Sequence, residues 1–276
     1  MLHPRIGGLL HELGALVGGL SFQNRLPQIE VAVGDDTAAL SFRVLAPPSS
    51  ADNRRLCDFG QQHELHIYLQ SGGPETTALL WPENAAPLYY RLPEFGLKLE
   101  FMPYHFVQIN PAINHRLVRQ AVALLDVQAD ERILDLFCGL GNFTLALARQ
   151  AHEVVGIEGD RELVAWAQRN AAGNGSANAH FYAADLSQDS SGHHWAQGFY
   201  DKVLLDPPRT GALAVLPLIA AVQARRVVYV SCHPATLARD AGELVHRLGY
   251  RLLSTGIMDM FPHTAHVESI ALFERP

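Results

Sequence analysis

Residues 132–142 read Arg-Ile-Leu-Asp-Leu-Phe-Cys-Gly-Leu-Gly-Asn, an apolar run with one acid that ends in a Gly-x-Gly turn, and Phe-Thr-Leu-Ala-Leu-Ala-Arg-Gln (143–150) follows with helical spacing. A strand, a glycine turn and a helix in that order predict the opening of an α/β nucleotide-type site, because glycine lets the backbone approach a ligand closely. Outward from this unit the pattern repeats. Strand-like runs end at Phe137 (RILDLF), Glu158 (EVVGIE), Asp185 (AHFYAAD), Asp206 (KVLLD) and Cys232 (RVVYVSC). Helical stretches such as DRELVAWAQRN and PATLARDAGELVHRLG lie between them, the last closed by Gly249. Alternation of this kind predicts a parallel, doubly wound sheet covered by helices on both faces. The runs YRLLSTGIMDM and HVESIALFE have no helix between them and read as an antiparallel appendix.

Upstream, Pro111 suits the first position of a helix whose stripe is Leu117, Val118, Ala121, Leu124 and Leu125. From Ile29 to about Pro103 the texture is different: IEVAV, TAALSFRVL, LHIYL, TALLW, LYYRL and LKLEF are short runs broken by turn signals, and read as antiparallel strands. Ser49 to Gln62 is a capped helix after Pro-Pro, and Pro4 to Leu20 a weaker, Gly-rich helical candidate. The expected division is an α+β domain over 1–103 and an α/β domain over 104–276.

Composition narrows the function classes. The 276 residues are 48% hydrophobic and 18% charged, which excludes wholesale disorder. No apolar run approaches the roughly 18 residues that cross a bilayer, so no membrane association is expected. Cys57, Cys138 and Cys232 are too few and too widely spaced for a disulfide framework or a CxxC metal site, which fits a reducing cytoplasm. With 21 Lys+Arg against 28 Asp+Glu the net charge is −7 and neither half is basic, so any nucleic-acid contact falls to local arginines.

The candidate site residues fall where ligands sit in an open α/β sheet, at the carboxyl ends of the strands. Thr144 stands where a dinucleotide fingerprint has its third glycine, which weakens a nicotinamide reading. Glu158, 19 residues after Gly139, is placed to accept bonds from ribose hydroxyls, and Asp185 and Asp206 repeat the acid at two more strand ends. Such an acidic edge suits a cationic nucleoside, S-adenosylmethionine, and repels a pyrophosphate. Asp206-Pro-Pro-Arg-Thr-Gly211 is a stiff turn with Arg209 where base-amino methyltransferases tend to place an aromatic residue. Cys232, in Ser-Cys-His-Pro, sits at a strand-to-helix turn whose dipole and free N–H groups are expected to favour a thiolate, and Cys138 is assigned to packing. His263, His266 and Glu268 have no further ligand beside them, so no metal is expected; Glu268 reads as a solvated acid or as a proton acceptor close to Cys232.

The motifs DLFCGLGNFT (135–144), LLDPPRTG (204–211), SCHPATLARD (231–240) and DMFPHTAHVES (259–269), with FVQIN (106–110) upstream, resemble the RNA uracil-5-methyltransferase family, most closely from about Phe101 onward. The wording PATLARD and DMFPHT favours its branch acting on 23S rRNA over the tRNA branch. That resemblance implies a Rossmann-like class I S-adenosylmethionine-dependent methyltransferase domain over 104–276 and an RNA-contacting module over 1–103. It makes Cys232 the nucleophile and Glu268 the base. It places Gln108, Phe137, Asn142, Glu158, Asp185 and Asp206 around S-adenosylmethionine, with Gly139 and Gly141 shaping the pocket and Asp206 also facing the uracil. The chain departs from the family in three ways. His233 stands where Asn commonly follows the nucleophile, and neither an N-terminal RNA-binding barrel nor four iron–sulfur cysteines are found in the 276 residues, which are expected to begin after them. No iron–sulfur cluster is therefore expected in these residues, and no obligate protein partner is evident from the sequence. The rival readings are a cytosine-5 methyltransferase, which would want a second cysteine beside Pro207, a nucleotide-dependent oxidoreductase, and a non-catalytic cofactor- or RNA-binding scaffold, which would need neither Cys232 nor Glu268.

Overall fold

The computed structural model describes residues 3–188 and 190–275. Contacts divide the chain into two compact units, Met1–Tyr90 with Glu100–Phe106 and Arg91–Leu99 with Val107–Pro276. No helix among the described residues is long and apolar enough to cross a membrane.

The first unit opens with α1 (Pro4–Gly7) and α2 (Leu10–Gly18), two short helices where the sequence suggested one. The Gly7-Gly8 pair is the reason, since each glycine in a helix interior costs about 1 kcal/mol relative to alanine. A four-stranded sheet follows in the order β1 (Gln28–Val33), β2 (Ala38–Arg43), β3 (Leu65–Gln70), β4 (Thr77–Trp81). The expected all-antiparallel pattern does not hold: β2 and β3 are parallel. Their connection is α3 (Ser50–His63), and a helix of that length brings the chain back to the starting edge, as a crossover must. Its start is set by a capping box in which Ser49 and Asp52 each bond the other's backbone N–H. Leu56 and Phe59 of the helix pack on Leu40, Phe42, Leu65 and Ile67 of the sheet. The strands β5 (Leu88–Leu92) and β6 (Leu97–Phe101) then form a separate two-stranded ribbon.

The second unit begins with α4 (Pro111–Leu125), capped by the Asn110 side chain and closed by Asp126 in the left-handed region. Leu117, Val118, Ala121 and Leu125 are its buried stripe, joined by Val122, while Leu124 is half-exposed. The seven-stranded sheet is built from β7 (Arg132–Leu136), β8 (Glu153–Glu158), β9 (Ala179–Ala183), β10 (Lys202–Leu205), β11 (Arg226–Ser231), β12 (Arg251–Met258) and β13 (Glu268–Glu274), in the order β12-β13-β11-β10-β7-β8-β9. The connecting helices are α5 (Thr144–Leu147), α6 (Arg161–Gly173), α7 (Leu216–Ala221) and α8 (Pro234–His246). Consecutive residues of β7, β10 and β11 are buried, which requires cover on both faces. One face packs Leu134, Leu136, Val203, Leu205, Val227 and Tyr229 against α7 and α8. The last hairpin is no appendage: β13 inserts beside β11, antiparallel to it, and β12 forms the edge.

Candidate active site

The register of the parallel strands brings distant residues into one row. Leu136 is level with Leu205 and with Ile157, so Phe137, Asp206 and Glu158, each one residue further along, share the carboxyl edge of the sheet. On the other side Ser231 is level with Ser269 across an antiparallel pair. The residue after the first, Cys232, therefore meets the residue before the second, Glu268, although 35 residues separate them in the chain. Regular pairing, rather than a loop excursion, makes this juxtaposition.

The glycine turn is held from both strands. Phe137 takes a left-handed conformation (φ 65°), and Gly139 and Gly141 have φ of 53° and 90°. The N–H of Cys138 donates to the Ile157 carbonyl at 3.0 Å, and that of Gly139 to Glu158 Oε2 at 3.0 Å. The other Glu158 oxygen accepts from Asp160 N–H at 3.1 Å. Asn142 exchanges two amide bonds with Asn114 of α4, at 3.1 and 3.0 Å, and Asn114 is 3% exposed. The regular helix after the turn is only Thr144–Leu147, shorter than the periodicity of 143–150 suggests, because the chain tightens at Arg149 and Gln150 and Asn178 takes up the Ala148 and Ala151 carbonyls. The cradle is thus the turn itself, not the end of a long helix.

Asp135 was not among the expected site residues. It is fully buried in β7, and Thr144 Oγ1 donates to its Oδ2 at 2.5 Å, which accounts for a threonine at the third glycine's place. Its Oδ1 is buried without a partner. Burial, with Asp206 and Glu158 nearby, pushes its carboxyl up to about 8. The signal in the sequence was a lone acid inside an otherwise apolar strand. Asp206 is half-buried and raised to about 7 by desolvation. Asp185 is exposed at the end of β9, where its Oδ1 accepts from Ser187 N–H at 2.9 Å and Oγ at 2.6 Å; these bonds hold it below the usual carboxylate range. Gln108 lies half-buried in the irregular segment ahead of α4.

Cys232 corrects the sequence reading of its ionisation. Its thiol is raised above the ordinary value, not lowered: burial is the largest cause, then the charges of Glu268 and Asp206, with Arg209 opposing them. The helix start is there, with His233 Nδ1 accepting from Thr236 N–H at 3.3 Å, but burial and then the two acids outweigh it. Glu268 is 2% exposed and raised to about 8, by burial and then by Asp206. It is not a solvated acid. Arg209 donates to His266 Nδ1 at 2.7 Å. Among the described residues no group of three or more His, Cys, Asp or Glu is arranged to hold a metal.

Residues present here fit a cationic nucleoside. A Cβ at Gly139 would enter open space beside Glu158, and Asp135, Glu158 and Asp206 form a cluster whose mutual repulsion a positive ligand relieves.

The strand order, with one antiparallel strand beside the fifth parallel one, is the Rossmann-like fold of class I methyltransferases. Within that class the chain belongs to the tRNA (Uracil-5-)-methyltransferase family, which matches residues 94–276. It is 56% identical over 275 residues to the 23S rRNA (uracil(1939)-C(5))-methyltransferase RlmD of Alkalilimnicola ehrlichii, covering 100% of this chain and 62% of that protein. The protein of the same name from Methylococcus capsulatus is 54% identical over 275 residues, with the same coverages of 100% and 62%. The chain thus spans about 62% of the length of these curated relatives. Among solved structures, Pyrococcus abyssi tRNA (uracil-54, C5)-methyltransferase in complex with S-adenosyl-L-homocysteine superposes with a TM-score of 0.69 at 25% identity, covering 88% of this chain and 58% of that one.

Proposed function

We propose that this chain carries the catalytic site of an enzyme that methylates C5 of a uracil in 23S rRNA, using S-adenosylmethionine. The observation that carries the reading is the pairing of a thiol, Cys232, with a buried acid, Glu268, on an edge lined by Asp206 and Glu158. A binding scaffold needs neither a thiol nor a buried acid there. A cytosine-5 enzyme of the RNA type would want a cysteine beside Pro207, where the chain has Asp206 and Pro208. The 56% identical relative favours 23S rRNA over tRNA as the substrate. RNA contact falls to the module over 1–103, and the reading places the protein in the cytoplasm.

Bound S-adenosylmethionine supplies an electrophilic methyl group. Phe137, Gly139, Gly141, Asn142, Glu158 and Asp206 would hold it, together with Gln108 and Asp185. Uracil C5 is a weak nucleophile, and Cys232 overcomes this when, its thiol proton lost to solvent, the thiolate sulfur adds to C6 and moves the ring electrons toward C5 and the C4 oxygen. After C5 is alkylated, Glu268 accepts the C5 proton, the Sγ–C6 bond breaks and the double bond returns. Burial raises Glu268 to about 8, so it takes up the C5 proton only in its ionised form, and that carboxylate is then a stronger base than an ordinary one. The target base has to leave its stack to reach Cys232, at a cost of a few kcal/mol.

The test is transfer of labelled methyl into unmodified 23S rRNA fragments and tRNA offered together, with Cys232→Ala as control. Label in rRNA as 5-methyluracil, lost in the control, is the expected result. Label in tRNA moves the protein to the other branch. Tight cofactor binding without any label overturns the reading in favour of the scaffold.

A further inference from the structure

The loop after β10 makes a tight turn in which Gly211 N–H donates to the Pro208 carbonyl at 2.8 Å, leaving Arg209 and Thr210 at its tip. From that tip Arg209 reaches His266 and counters the carboxylates that oppose ionisation of Cys232. The far side of the loop lies on α8. There Asp240, with 0% exposure, accepts the Ala212 N–H at 2.7 Å and the Tyr229 hydroxyl at 2.7 Å. Arg239 pairs with the same carboxylate at 2.7 Å and donates to the Thr210 carbonyl at 2.8 Å. A Cβ at Gly211 would stand 2.5 Å from the Arg239 guanidinium and 2.6 Å from the Asp240 carboxylate, so the loop backbone passes in direct contact with the pair.

The connected elements matter. Tyr229 lies on β11, the strand that delivers Cys232, and Asp240 lies on α8, the helix that starts at Pro234 just beyond it. One buried carboxylate therefore joins the strand before the thiol, the helix after it and the loop that carries Arg209. We infer that Asp240 and Arg239 are positioning residues that hold the Arg209 turn against the Cys232 strand and helix, and so set the reactivity of the thiol. The inference rests on the proposed reading of Cys232 as the nucleophile.

The test measures the rate at which iodoacetamide alkylates Cys232 as a function of pH, followed by mass spectrometry of the Cys232 peptide, in the unaltered chain, Asp240→Asn and Arg239→Gln. Methyl transfer to a 23S rRNA fragment is measured in parallel. The charged groups facing Cys232, namely Glu268 from β13 and Asp206 and Arg209 from the loop after β10, are retained in both variants. Arg239 is 46% exposed, so Arg239→Gln keeps the inference falsifiable where Asp240→Asn fails to fold. The expected result is an alkylation midpoint displaced to higher pH, with alkylation slowed about threefold or more near pH 8. In the transfer assay kcat falls about tenfold while KM for S-adenosylmethionine stays within about twofold. A folded Arg239→Gln chain with the unaltered pH profile and kcat overturns the inference, because a merely structural contact lowers melting temperature without moving that profile. A displaced profile in a chain that methylates no RNA sustains the positioning role and overturns the proposed function.

Discussion

Glu158 Oε2 accepts the N–H of Gly139 at 3.0 Å, joining the end of β8 to the glycine turn after β7. The carboxylate proposed to bind the cofactor thus also shapes the loop proposed to hold it. Replacing Glu158 with Gln keeps an acceptor for Gly139 and removes the charge. S-adenosylmethionine affinity is expected to fall about tenfold, roughly 1.4 kcal/mol, and Glu158→Ala to lose more because the turn is released as well. Titration calorimetry reads both. Unchanged affinity in a folded Glu158→Gln chain would remove this residue from the site.

Gly139 and Gly141 separate binding from stability. Both have positive φ, but a Cβ at Gly139 meets nothing within 4 Å, while one at Gly141 comes within 3.2 Å of Leu145 and 3.3 Å of Phe181. Gly139→Ala is expected to cost about 1 kcal/mol of backbone strain and to weaken cofactor binding by more than that, since the methyl group occupies the ligand's space. Gly141→Ala adds crowding to strain and is expected to lose roughly 2 kcal/mol of stability. Thermal denaturation alongside calorimetry checks the contrast, and equal stability losses would contradict it.

Locally encoded features were the readable ones. The acids at strand ends, the capping of α3 and α4 and the position of Cys232 follow from turn chemistry and periodicity within a few residues. Features made by pairing across long stretches were not. The parallel β2–β3 pair, the Asn114–Asn142 exchange and the bond from Ala212 to Asp240 each join residues that only the folded chain brings together. The raised thiol of Cys232 has the same origin: the helix start is local, whereas the burial that dominates, and the acids Glu268 from the last strand and Asp206 from the loop after β10, come from the folded chain.

Cys232→Ala is expected to abolish methyl transfer while leaving S-adenosylmethionine affinity within about twofold, because in the proposed mechanism the thiol acts on the base and not on the cofactor. Glu268→Gln removes only the proposed later proton acceptor. A covalent protein–RNA adduct is expected to accumulate in that variant, migrating slowly on a denaturing gel, with turnover lowered on the order of a hundredfold. Turnover at the normal rate would discard Glu268 as the base.

The same acid gives the fold a pH dependence with a definite sign. Glu268 is raised from 4.5 to about 8, Asp206 from 3.8 to about 7 and Asp135 from 3.8 to about 8, all chiefly by burial. In the unfolded chain these carboxyls ionise near pH 4, whereas in the folded chain they keep their protons. The folded state therefore binds more protons between about pH 4 and 8, and stability falls as pH rises through that window. Melting temperature without ligand is expected to drop between about pH 4 and 8 and to level off above. Glu268→Gln cannot ionise, so its drop should be shallower, with an advantage on the order of a few kcal/mol at pH 9 and almost none at pH 4. Bound S-adenosylmethionine brings positive charge to the acidic edge and should flatten the curve further in the unaltered chain. Parallel melting curves for the two chains across this range would refute the buried, proton-holding state of Glu268.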